Sequence, residues 1–149
     1  ICMRSINTLK SRAFIAALNA EGDCQAVVDY ALESSIESSL VLNGTPWFGG
    51  FATTSAFPLD ELTRLGTLGL DPNGMLMNPT VDPDTASINA SGLLFGGPGR
   101  VRSYELSAVG DKILVAGIMS QGFLGLPCPS DAPAQIDFFL ALYDPAQGP

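Results

Sequence analysis

The clearest pattern lies in the last third of the chain. Val101 to Val109 and Lys112 to Met119 both read as long strands, with Gly110-Asp111 as a tight hairpin turn between them. Gln135 to Tyr143 reads as a third long strand, reached through a longer connection from Gly122 to Ala134. This strand is apolar on both sides, because Ile136, Phe138, Leu140 and Leu142 alternate with Asp137, Phe139, Ala141 and Tyr143. One side covers a core and the other must also meet something dry. A subunit interface is the candidate, so a homodimer is expected.

The first third reads differently. Ile6, Leu9, Ala13, Ala17 and Leu18 recur at three- and four-residue spacing, which predicts a helix from about Ser5 to Ala20 with Ser5 as its N-cap. Gly22-Asp23 breaks it, and Asp23 caps a second predicted helix running to about Glu33, with Val27, Tyr30 and Ala31 on one side. The serine-rich stretch Ser34 to Ser39 leads into a short strand, Leu40-Val41-Leu42. Trp47-Phe48-Gly49-Gly50-Phe51 reads as a bend lined with large rings. A third helix is predicted from Pro58, with Leu59, Leu62 and Leu65 sharing a side. Asp71 to Thr85 is punctuated by Pro72, Asn73-Gly74, Pro79 and Pro83 and reads as loop, while Ser87 to Phe95 has no decisive pattern. Helices followed by a meander of strands predict one α+β domain over residues 1–149, with helices on one face of a mixed or antiparallel sheet.

Composition narrows the chemistry. The chain has 149 residues, 46% of them hydrophobic, which is enough for a substantial core and excludes disorder as the main state. Seven Lys+Arg against 15 Asp+Glu leave a net charge of −8, too acidic for a nucleic-acid binder. With no histidine at all, Ser–His–Asp and Cys–His machinery and the usual His-containing zinc sites are excluded. No metal site and no cofactor are expected. Cys2, Cys24 and Cys128 allow three reduced thiols in a cytosolic protein, the simpler reading, or one disulfide and a free thiol. No apolar run approaches the ~18 residues of a membrane-spanning helix. No signal peptide is visible, although a leader trimmed before Ile1 is compatible with the sequence. Asn43-Gly44-Thr45 and Asn89-Ala90-Ser91 match the glycosylation sequon, a pattern short enough to arise by chance.

Phe14 to Asp23 (FIAALNAEGD) resembles a recurrent segment of the nuclear-transport-factor-2-like superfamily, nearest to its ketosteroid isomerase and SnoaL-like polyketide cyclase branches. Glu105 to Val115 resembles that family's penultimate hairpin and Ala134 to Phe139 its last strand, so the likeness covers about a third of the chain at its two ends. The resemblance implies a cone: a strongly curved sheet wrapped around N-terminal helices, with an internal apolar pocket. Its members include isomerases, cyclases, dehydratases, epoxide hydrolases and non-catalytic binding domains, so fold alone does not set function. Ketosteroid isomerases use an Asp base, a Tyr donor and a protonated Asp donor. By the resemblance the protonated Asp falls on Asp137 and the Tyr on Phe14, which has no hydroxyl. The base falls near Ser39, with Glu37 two residues away.

Asp137 is the leading candidate for acid/base work, since a carboxyl interrupting an apolar strand loses hydration and its charged form is disfavoured. The plain alternative is an exposed Asp, or one paired with Arg100 or Arg102. Glu37 is the candidate second carboxylate, or else a solvated turn residue. Tyr30 and Tyr104 are possible donors, and Phe14, Trp47, Phe51 and Phe139 possible pocket walls, each with core packing as the alternative. The resulting expectation is a cofactor-independent isomerase or cyclase acting on a hydrophobic polyketide or terpenoid. A non-catalytic binding or dimerisation module and an epoxide hydrolase are the alternatives.

Overall fold

The computed structural model describes residues 13–29, 34–53, 62–65, 72–82, 84–85, 87–96, 99–120 and 136–147. Among them every regular element is a strand, and there is no helix. In chain order these are β1 (Phe14–Leu18), β2 (Cys24–Asp29), β3 (Ser34–Leu42), β4 (Thr45–Ala52), β5 (Leu62–Leu65), β6 (Asn73–Asp82), β7 (Ser87–Phe95), β8 (Val101–Val109), β9 (Lys112–Ser120) and β10 (Ile136–Tyr143). They form a β1-β2 hairpin, a five-stranded sheet in the order β3-β4-β6-β7-β5, and a three-stranded sheet in the order β10-β9-β8. Only β5 joins in parallel, on β7; the other described pairs are antiparallel.

The α+β cone is therefore overturned: the described part is all-β. Two of the predicted helices coincide with β1 and β2, and the described end of the third is β5. The rest of each, at 5–12, 30–33 and 58–61, lies outside the described residues. In β1 the helical spacing was satisfied only because nearly every position from Ala13 to Leu18 is apolar. Such a run fits a strand equally well, with Ile15 packed inward and Phe14 and Leu18 outward. The segments read as turn or loop before Leu40 and between Asn73 and Asp82 are strand too, as is Ser87–Phe95. The β8-β9 hairpin and β10 are where the sequence reading places them, and Gly110 turns the hairpin with φ +64°, a conformation glycine adopts without strain.

The centre of the five-stranded sheet is buried on both faces, as the short apolar runs Met75-Leu76-Met77 of β6 and Leu93-Leu94-Phe95 of β7 require. On one face Leu42, Trp47, Leu76, Leu93 and Phe95 meet Val101, Leu106, Ile113, Val115 and Phe139 of the three-stranded sheet. On the other, Ala52, Met75, Met77 and Leu94 pack with Ile15 and Val28 of the β1-β2 hairpin. Fully burying side chains such as Met75, Leu76, Leu94 and Ile113 contributes about 1.5–3 kcal/mol each. Ser103, fully buried on β8, bonds the two sheets together through its hydroxyl.

The five-stranded and three-stranded sheets each carry one bulge, and the β1-β2 hairpin has a register shift between Ala17 and Leu18. In β3, Ile36 faces Gly50 and Ser38 faces Gly49, leaving Glu37 as the extra residue. In β8, Ser103 faces Gly117 and Glu105 faces Ala116, leaving Tyr104 extra. Cys24 is disulfide-bonded, which replaces the reading of three reduced thiols; the other two cysteines, Cys2 and Cys128, lie outside the described residues. Among the described residues no helix is long and apolar enough to cross a membrane.

Candidate functional site

The expected site residues do not converge on one pocket. Asp137 sits on the inward side of β10, opposite Met119, half-buried, with its Oδ2 buried and without a hydrogen-bond partner. Glu37 is exposed at the β3 bulge, where the Ser35 hydroxyl donates to its Oε1 at 2.6 Å. Among the described residues no ion pair joins Asp137 to Arg100 or Arg102. Arg102 instead places its guanidinium carbon 4.4 Å from the centre of the Phe51 ring, a cation–π contact. Phe139 is core, its ring edge-on to Phe95 at 6.1 Å. Phe14 faces outward on β1, and Tyr104 is exposed at the β8 bulge. Tyr30 lies outside the described residues. Only Trp47 among these lines the largest cavity described.

That cavity, about 520 Å³, is an open cleft at the turn end of the two packed sheets. Trp47 at the start of β4 and Tyr143 at the end of β10 meet there edge to face, 5.7 Å between ring centres. Asn43, at φ +51° in the β3-β4 turn, and Asp111, in the β8-β9 turn, stand at its mouth. Asn78 and Ser91, paired across β6 and β7, line it from the five-stranded sheet, and the Ser91 hydroxyl donates to the Asn78 carbonyl at 3.2 Å. The Asn78 side-chain Oδ1 is buried with no hydrogen-bond partner, an acceptor left open.

The rim is held by Asp144. Its Oδ1 accepts from the Ala146 amide at 3.0 Å, and its Oδ2 lies 3.2 Å from the Lys112 ammonium, so the turn carrying Pro145 and Ala146 is fixed against β9. Burial pushes the Tyr143 hydroxyl above its ordinary pKa of 10.0, and the neighbouring Asp144 charge adds to this. The phenol is thus a neutral donor and acceptor at physiological pH. Asn78, Ser91, Asp111 and Tyr143 were missed as a site because they come from three strands and a turn. The Asn-Gly and Gly-Asp hairpin signals were the sequence marks of the end they share.

Two smaller cavities lie on the three-stranded sheet. One, about 230 Å³, is lined by Arg100, Arg102, Ile118, Met119, Ser120 and Ile136. The other, about 220 Å³, lies among Tyr104, Glu105, Phe138 and Leu140. Asp137 lines none of the three. No protein-family model matches the chain, no curated protein is significantly similar to it, and no solved structure matches it significantly.

Proposed function

We propose that this protein is a non-catalytic association module, a β-sandwich that pairs with a second copy of itself through the outer face of β8, β9 and β10. One observation carries the reading: Ile136, Phe138, Leu140 and Leu142 line the outer side of β10 and are 61%, 84%, 73% and 56% exposed. Leu114, Ala116 and Ile118 extend the same face across β9, each directly opposite a β10 residue. The exposed polar residues Glu105 and Ser107 on β8 border it. An apolar centre with a polar border is how protein interfaces are built.

Four side chains at these exposures present on the order of 500 Å² of apolar surface, the larger part of the ~800 Å² each partner gives to a standard interface. A face paired with its own copy about a two-fold axis closes on itself and leaves no second open surface. The Cys24 disulfide supports residence in an oxidising compartment rather than the cytosol. Sedimentation velocity at micromolar concentration tests the reading. The expected species has twice the 15.5 kDa chain mass, and Phe138→Lys or Leu140→Lys returns it to monomer. A monomeric wild-type protein overturns it.

A second reading, acid/base turnover of a hydrophobic polyketide or terpenoid, is favoured by the unpartnered Oδ2 of Asp137. It rests on that residue alone, since Glu37 is exposed and already takes a hydrogen bond from Ser35. Conversion of such compounds that is lost in Asp137→Asn supports it; unchanged conversion in the variant removes it.

A further inference from the structure

We propose that the cleft between Trp47 and Asp111 binds a neutral polyhydroxylated ligand of the sugar class. Its volume, about 520 Å³, lies within the roughly 300–1,000 Å³ of small-molecule sites. It is walled by chain turns of both sheets, so its shape is set by the sandwich rather than by one loop.

The lining chemistry selects the ligand. Among the described lining residues, Asn43, Thr45, Asn78 and Ser91 bring neutral amides and hydroxyls, Asp111 brings the single carboxylate, and there is no Lys or Arg. An anion would face Asp111 with no cation to offset it. A wholly apolar ligand would displace water from the exposed Asn43, Ser91 and Asp111 side chains without replacing its hydrogen bonds. The bound molecule must therefore donate hydrogen bonds to the Asp111 carboxylate and exchange them with the neutral amide and hydroxyls of Asn43, Thr45 and Ser91. It must also lay an apolar side against the half-buried Tyr143 and Pro145. A pyranose ring meets all three demands, because its hydroxyls donate and accept around the rim while its C–H groups form an apolar face. An organic cation would answer Asp111 and the aromatic rings but leave the neutral polar groups of Asn43, Thr45 and Ser91 without partners unless it also carried hydroxyls.

This site is independent of the self-association face, which lies on the opposite side of β10 from Tyr143. Trp47 is the only tryptophan of the chain, so its emission reports occupancy directly. The experiment titrates the full chain with glucose, galactose, N-acetylglucosamine, maltose and cellobiose, with tetramethylammonium as the cation probe and inorganic phosphate as the anion probe. A saturable emission change with at least one sugar is expected. Its half-saturation should rise about ten-fold in Ser91→Ala and in Asp111→Ala. Asp111 is an exposed turn residue, so the second variant keeps the test valid if the first fails to fold. Phe138→Lys should bind the same sugar as wild type, which separates this site from the association face. Saturation by tetramethylammonium or phosphate instead of a sugar overturns the proposal. So does the absence of any saturable response, or sugar binding indifferent to Asp111→Ala.

Discussion

The Ser103 hydroxyl donates to the Gly50 carbonyl at 3.0 Å, and the Met75 carbonyl lies 3.3 Å from the same oxygen. One buried side chain on β8 thus reaches two adjacent strands of the facing sheet, at the point where β4 and β6 pair. Ser103→Ala removes the donor and leaves two carbonyls facing a methyl group. The expected cost is about 1–2 kcal/mol, read as a lower urea midpoint with unchanged slope. An unaltered midpoint would mean that the contact adds nothing over packing.

Gly117 leaves room for the Phe139 ring of the adjacent strand β10 to lie across β9. A Cβ there would lie 2.6 Å from the Phe139 ring and press on the Arg102 carbonyl. The backbone cannot yield as a flexible side chain would, so Gly117→Ala should lose about 3 kcal/mol in chemical denaturation. A variant as stable as wild type would show that the Phe139 ring moves aside freely.

The disulfide at Cys24 is checked by counting thiols. Mass spectrometry after alkylation in denaturant should find one labelled cysteine per chain without reductant and all three after reduction. Cys24→Ser should free a second thiol and lower stability by about 2–4 kcal/mol. Three labelled cysteines before reduction would refute the bond and with it the support for an oxidising compartment.

Tyr143 makes stability pH-dependent at the alkaline end. Its folded pKa is raised above 10.0, chiefly by burial, so the folded state holds the phenolic proton more tightly than the unfolded chain does. That contribution is complete below the ordinary tyrosine pKa and is lost as pH rises through the folded value. Absorbance titration of phenolate should show a component above pH 10 that Tyr143→Phe abolishes. Loss of stability on going from neutral to strongly alkaline buffer should be smaller in that variant.

The parts of the fold legible in the sequence are those where one face is wet. In β8 the exposed Glu105 and Ser107 flank the buried Leu106 and show the two-residue period, and Gly110-Asp111 marks the turn into β9. β10 was legible as a strand with two dry sides because Asp137 is its lone charge. The N-terminal strands were misread because alanine-rich apolar runs carry no period, and tertiary packing against Met75 and Leu94 decides their state. Pro79 suggested a loop, yet it sits past Met77, the last β6 residue paired with β4, where only β7 remains to be bonded. The cleft was illegible because its members are brought together by sheet packing alone, at separations no local pattern records.

The odd residues at Glu37 and Tyr104 have an evolutionary corollary. Striking out Glu37 would join Ile36 to Ser38 and restore strict in-out order from Ser34 to Leu42, with every other side chain keeping its side. Striking out Tyr104 would do the same between Ser103 and Glu105. At these two places the chain can lose a residue while its interior set stays whole, so length can drift there between lineages without a change of architecture.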